Sequence, residues 1–221
     1  MTDMTDMKPF EFFTVAYLTR IGNEVAGTLA ELQSGLELCS DASIFHHTFQ
    51  TLGRHHFLTE GFSNDFAQWV LAATNRTELA EQLAALDIRD YVTIAELRSD
   101  LRRLVGDYCA EHPQLAAQMA LEPFCFCESV EVTLPLESVA STIEEFRRGI
   151  EGLSHASFYY HFMSARMRLG FRTNDFSLWL ANEAGRDALA DRVNRIDIYT
   201  NTLDSARAEM LRLIAREDLA S

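Results

Sequence analysis

Three kinds of residue in this chain could do chemistry, and each occurs as a pair. His47 and His161 stand in closely similar contexts, SIFHHTF and SFYYHFM. Asp65 and Asp175 follow Asn64 and Asn174 in SNDFAQWV and TNDFSLWL, ahead of Trp69 and Trp179. Glu31 and Glu145 form the third pair. Imidazole with carboxylates suits acid–base catalysis or a Zn, Mn or Fe site, and helical bundles build such sites from inward-facing side chains. The expected metal ligands are His47, His161, Glu31 and Glu145. The expected ligand-binding residues are His47, His161, Asn64, Asp65, Asn174, Asp175, Trp69 and Trp179.

Each pair has a plainer reading. A His beside an apolar face is commonly a satisfied core imidazole, bonded to a carboxylate or carbonyl. Asn64 or Ser63 suits a helix N-cap, and Asp65 complements the positive helix end. One polar residue would suffice as a cap, so the second is expected to bond another helix, with Asp65 reaching His47 and Asp175 reaching His161. Glu-x-x-His is absent, since Ile44 and Phe158 stand three residues before the histidines. His56 and Glu60 have i,i+4 ligand spacing in the first half alone. In His46-His47 and His55-His56, adjacent positions diverge on a helix, which predicts one inward and one surface imidazole per pair. Ser40, Ser43, Ser154 and Ser157 lack a nucleophile elbow and read as caps and first-turn residues. There is no P-loop and no dinucleotide-type glycine motif.

The elements that must position these residues also come twice. Leu29–Phe49 aligns with Ile143–Met163 at a shift of 114, with 7 of 21 positions identical. A four-residue gap near Thr59–Ser63 then aligns the Asn-Asp-Phe phrases, followed by LAEQLAALDI with LADRVNRIDI. The constant order predicts a tandem duplication. Its parts are a first repeat over 8–112, a connector over 113–123 with a short helix, and a second repeat over 124–216. The fold expected is mainly α, helical bundle in character, with one short β-strand per half in a single pseudo-two-fold domain.

Apolar periodicity predicts helices over Val25–Leu38, from Ser40 through Ile44, Phe45, Phe49 and Leu52, from Asn64 onward, and from Thr77 to about Asp87. Thr93 to Glu96 is a capping box opening a helix that ends near Glu111, before Pro113. KPFEFFTVAY and FCFCESVEVTL, rich in aromatic and β-branched residues, predict the strands. Gly35 and Gly149 recur mid-helix, where glycine is costly, so something is expected to approach closely there.

The chain has 221 residues, 33 acidic and 19 basic, for a net charge of −14. That balance repels phosphate backbones and argues against a nucleic-acid partner. Arg98, Arg102 and Arg103 read as a solvated face. Cys39, Cys109, Cys125 and Cys127 contain no Cys-x-x-Cys; Cys125 and Cys127 would share a strand face, and the cysteines read as core residues. No signal peptide and no membrane-length apolar run are visible, so a cytoplasmic protein is expected.

The pattern Ser-x-x-x-His, then Asn-Asp-Phe-x-x-Trp, then Leu/Ile-Asp, given twice, resembles a bacterial and archaeal family known only as a domain of unknown function. The matching phrases are SIFHHTF, NDFAQWV and LDI, then SFYYHFM, NDFSLWL and IDI, within a resemblance from Phe10 to about Ile214. The resemblance implies a stand-alone intracellular protein and no activity. Symmetric repeat interfaces tend to create clefts, so the function expected is a binding or adaptor module, with a cleft between the repeats for a protein or small molecule and no required cofactor. The alternatives are a metal-dependent or acid–base enzyme and a structural subunit.

Overall fold

Polar residues with extended backbone open most of the helices of the chain. Thr28, Ser40, Asn64, Thr93, Thr142, Ser154 and Asn174 each accept a backbone N–H three residues on, satisfying a donor the helix start leaves unpaired. Thr93 and Glu96 complete the expected capping box. The computed structural model describes residues 8–50, 62, 64–169, 171, 173–197 and 202–218. The expectations for Leu52, His55, His56, Thr59, Glu60, Ser63 and Ile198 lie outside those residues.

The fold is mainly helical with a two-stranded antiparallel sheet. Strand β1 runs Phe10–Ala26 and pairs with β2, Phe124–Ala140. At 17 residues each, the strands are not short. The sequence reading ended each one early, because the later strand residues are polar or solvent-facing; β1 therefore takes Val25 and Ala26 from the helix predicted to begin there. Both strands start with buried alternation, Phe10 and Phe12 in β1 and Phe124 and Phe126 in β2. Cys125 points the other way and is exposed, which corrects its expected place in the core.

The chain divides into two compact units, Tyr17–Val130 and Met1–Ala16 with Glu131–Ser221. Each contains a piece of both strands. In the first unit, α1 (Leu29–Leu38) packs on α5 (Ile94–Glu111), and α3 (Asp65–Thr74) on α4 (Thr77–Ala84). Between α1 and α3 lie α2 (Asp41–Phe45) and a π-helical turn, His46–Gln50. Leu32, Leu36, Ile44, Phe66 and Leu101 are fully buried there. The segment after α5 begins with α6 (Pro113–Ala116), and its later backbone bonds Gly27 O and Ala73 O.

In the second unit, α7 (Ile143–Gly152), α8 (His155–Tyr159), a π-helical turn (Tyr160–Ser164) and α9 (Ala165–Leu169) precede α10 (Asp175–Asn182). Then come α11 (Asp187–Asn194) and α12 (Leu203–Asp218). In its core Phe146 stacks on Trp179 and Phe158 on Phe176, while Phe146 meets Phe176 edge to face. No helix among the described residues is long and apolar enough to cross a membrane.

Candidate functional site: two histidine latches

His47 sits on the first π-helical turn, a helix form that recurs at functional positions. Its Nδ1 lies 2.8 Å from Asp65 Oδ2, and its Nε2 lies 2.8 Å from the backbone nitrogen of Cys127. A backbone N–H can only donate. Nε2 therefore accepts, the ring proton rests on Nδ1, and Asp65 receives it. His46 is also buried, with Nδ1 2.8 Å from Ser129 Oγ. That corrects the expectation of one inward and one surface imidazole: the wider π turn lets consecutive residues both face the protein.

The second unit holds the same set of bonds. His161 Nε2 accepts from Phe13 N–H at 3.0 Å, and its Nδ1 lies 2.9 Å from Asp175 Oδ2. The ring is 1% exposed. Arg168 donates to both oxygens of Asp175 and stacks over the Tyr160 ring at 4.6 Å. Burial pushes the Tyr160 phenol up, against the Arg168 charge.

Each polar residue of Asn-Asp-Phe-x-x-Trp now has a distinct task. Asn64 caps α3 through Oδ1 and ties it to α4 by donating Nδ2–H to Leu83 O at 3.0 Å. Asn174 caps α10 and donates to Asn194 Oδ1 at 3.1 Å. Trp69 donates from Nε1 to Glu122 O, and Trp179 to Lys8 O, both at 2.8 Å. Those carbonyls lie just before the two strands. Phe66 and Phe176 stack against the strand aromatics Phe124 and Phe10 at 5.1 and 5.5 Å. The motif thus docks a strand: the Asp aims a His at a strand N–H, and the Trp holds the chain leading in.

Glu31 and Glu145 are elsewhere. Their carboxylates accept the backbone N–H of Gly27 and Ser141 at the starts of α1 and α7, and so serve helix ends. The close approach expected at Gly35 and Gly149 is present, but rings from the strands make it, Phe126 and Phe12 respectively. Arg98, read as part of a solvated face, bonds Leu36 O and Asp41. Arg166 gave no sequence signal either. It is 6% exposed and donates to three backbone carbonyls, and burial pushes its guanidinium down to about 10.

A cavity of about 300 Å³ opens beside His161, between Lys8–Phe13 on one side and Tyr160, Arg168, Trp179 and Glu183 on the other. A family model matches residues 7–215. The chain belongs to the Family of unknown function (DUF5752). The structure of OrfY from Thermoproteus tenax is similar to it, with a TM-score of 0.83 at 29% identity, over 97% of this chain and 100% of that one. No curated protein matches. In this DUF5752 chain both ring nitrogens of His47 and of His161 are engaged. A general base needs a free lone pair, and in both latches Nε2 has spent its own on a backbone amide.

Proposed function

We propose that the chain is a tandem duplication of one helical unit, working as a binding or adaptor module in the cytoplasm. The observation that carries the binding reading is the cavity beside His161. It is lined by Lys8, Glu11 and Phe13 from the first sequence repeat and by Tyr160, Arg168 and Glu183 from the second. Aromatic faces, a guanidinium and carboxylates in one cleft suit a small molecule or a protein segment of mixed polarity. The duplication is supported by bonds that recur between corresponding positions, 114 apart for most of them and 110 apart for the tryptophans. His47 with Cys127 N–H and His161 with Phe13 N–H are one such pair, and Trp69 with Glu122 O and Trp179 with Lys8 O another. The free thiols of Cys39, Cys109, Cys125 and Cys127 fit a reducing compartment.

Native mass spectrometry of protein purified from its own cells tests this. A species bound to the wild type and lost from Arg168→Ala and Tyr160→Ala supports the cleft. No bound species, or one retained by both variants, sinks it.

One observation favours a second reading. Ligand atoms of His46, His47 and Asp65 lie within 4.8 Å of one another. A divalent metal held there would displace the proton that His47 shares with Asp65, so binding would release acid. Zinc titration of the wild type against His46→Ala, with proton release followed by a pH dye, decides it. Identical curves for the two proteins exclude this site.

A further inference from the structure

The first unit contains a second cavity, of about 370 Å³, lined in part by Phe126. It lies between the β1 segment Arg20–Glu24, the end of α1 and the start of α2, with Glu128 of β2 at its edge. At Gly22 the strands are so close that a Cβ would stand 2.6 Å from Phe126 O. Ser43 lines the cavity, is 1% exposed, and has no strong hydrogen-bond partner for its Oγ. Its neighbour Cys39, a thiol that burial pushes up, is a weak partner. In the second unit the matching hydroxyl is satisfied: Ser157 Oγ lies 2.8 Å from Ser154 Oγ. Here Ser40 donates instead to Glu128, and the Ser43 hydroxyl is left over. A buried hydroxyl with only a thiol for company is poorly satisfied, so it marks a place where a polar ligand would gain.

Charge selects the ligand class. The cavity is lined by Glu24, Glu128 and Arg20, two carboxylates against one guanidinium. The nearby Arg98 is engaged by Asp41. Glu128 is held by Ser40 with its side chain 15% exposed, whereas the Arg20 side chain that pairs with it is 66% exposed. The carboxylate is fixed and its cation can leave. We propose that this cavity binds a small primary amine, whose ammonium replaces Arg20 at Glu128 and whose remaining donors reach Ser43 Oγ. The site is separate from the cleft assigned above, so either can fail alone.

Calorimetric titration of the full chain with putrescine at low salt is the test. The wild type binds saturably. Glu128→Gln weakens binding about tenfold or more, as expected for losing a charge-assisted bond. Ser43→Ala weakens it about threefold and leaves thermal stability unchanged or higher, since a poorly satisfied hydroxyl is removed. Arg20→Ala tightens it by removing the competing cation. Circular dichroism checks that each variant is folded. Absence of saturable binding overturns the proposal, as does equal affinity in Glu128→Gln or no gain in Arg20→Ala, either of which marks diffuse attraction to an acidic surface. Binding of acetate instead, strengthened in Glu128→Gln, assigns the cavity to anions and overturns it too.

Discussion

Replacing Gly149 by alanine should destabilise the protein, against the usual direction. In a helix interior, glycine to alanine is worth roughly 0.5–1 kcal/mol in favour of alanine. At Gly149 the new Cβ would lie 2.2 and 2.4 Å from two ring atoms of Phe12. Ordinary contact begins near 3.4 Å, so the ring must retreat by about 1.2 Å. It has nowhere to go. Phe12 is 1% exposed and packed by Phe10, Phe146 and His161. Moving it also drags Phe13, whose N–H is bonded to His161. Overpacking of this kind costs about 1–3 kcal/mol. After the helix gain, a net loss of about 0–2.5 kcal/mol remains, centred near about 1 kcal/mol, or roughly 2–4 °C in Tm at that centre for a chain of this size. Urea denaturation monitored by tryptophan fluorescence measures it. Gly152→Ala, in the same helix with nothing within 4 Å of its Cβ, is the control and should be neutral or stabilising. In a Phe12→Leu background, Gly149→Ala should lose most of its cost. If Gly149→Ala stabilises as the control does, the ring-over-glycine account is wrong.

Three further outcomes follow from the same geometry. His161→Phe keeps a ring but strands the Phe13 N–H, so it should lose about 1–3 kcal/mol in the same denaturation assay, while a loss below about 0.5 kcal/mol would deny the latch any energetic role. Trp69→Phe removes the bond to Glu122 O and should cost about 1 kcal/mol, with faster hydrogen exchange at Phe124 and Phe126 as a local readout. The Glu128 carboxyl is held below its ordinary value of 4.5 by the Ser40 hydrogen bond and then by Arg20. A depressed folded pKa contributes stability above the unfolded value and loses it as pH falls through the folded one. The wild type should therefore destabilise more steeply than Glu128→Gln below about pH 4.5, and parallel acid limbs would contradict the pairing.

Local features were legible in the sequence where one residue type has one dominant use. The caps at Ser40, Asn64, Thr93 and Ser154, and the costly glycines at 35 and 149, are such cases. The expected bonds from Asp65 to His47 and from Asp175 to His161 also formed, because two adjacent polar residues cannot both cap one helix. What stayed hidden depends on distant chain. Nothing in the residues around His47 reveals that its second partner is a backbone amide 80 positions away. The strands were underestimated because Arg20 and Asn23 are exposed, Glu24 is half-buried, and the three carry no apolar alternation. The π turns leave no periodic signature over five residues, so the burial of His46 could not be anticipated.

The sharing of strand segments between compact units has a consequence for synthesis. A chain emerging from the ribosome delivers Phe13 early, but its partner His161 follows 148 residues later, and Lys8 waits 171 residues for Trp179. The unit that ends at Val130 can close first, while the opening aromatic segment is still without its cover. Nascent Phe10 and Phe12 stay without this cover until Phe146, His161, Phe176 and Trp179 have been made. Translation order, and not intrinsic stability alone, thereby sets when this protein is most open to misassembly.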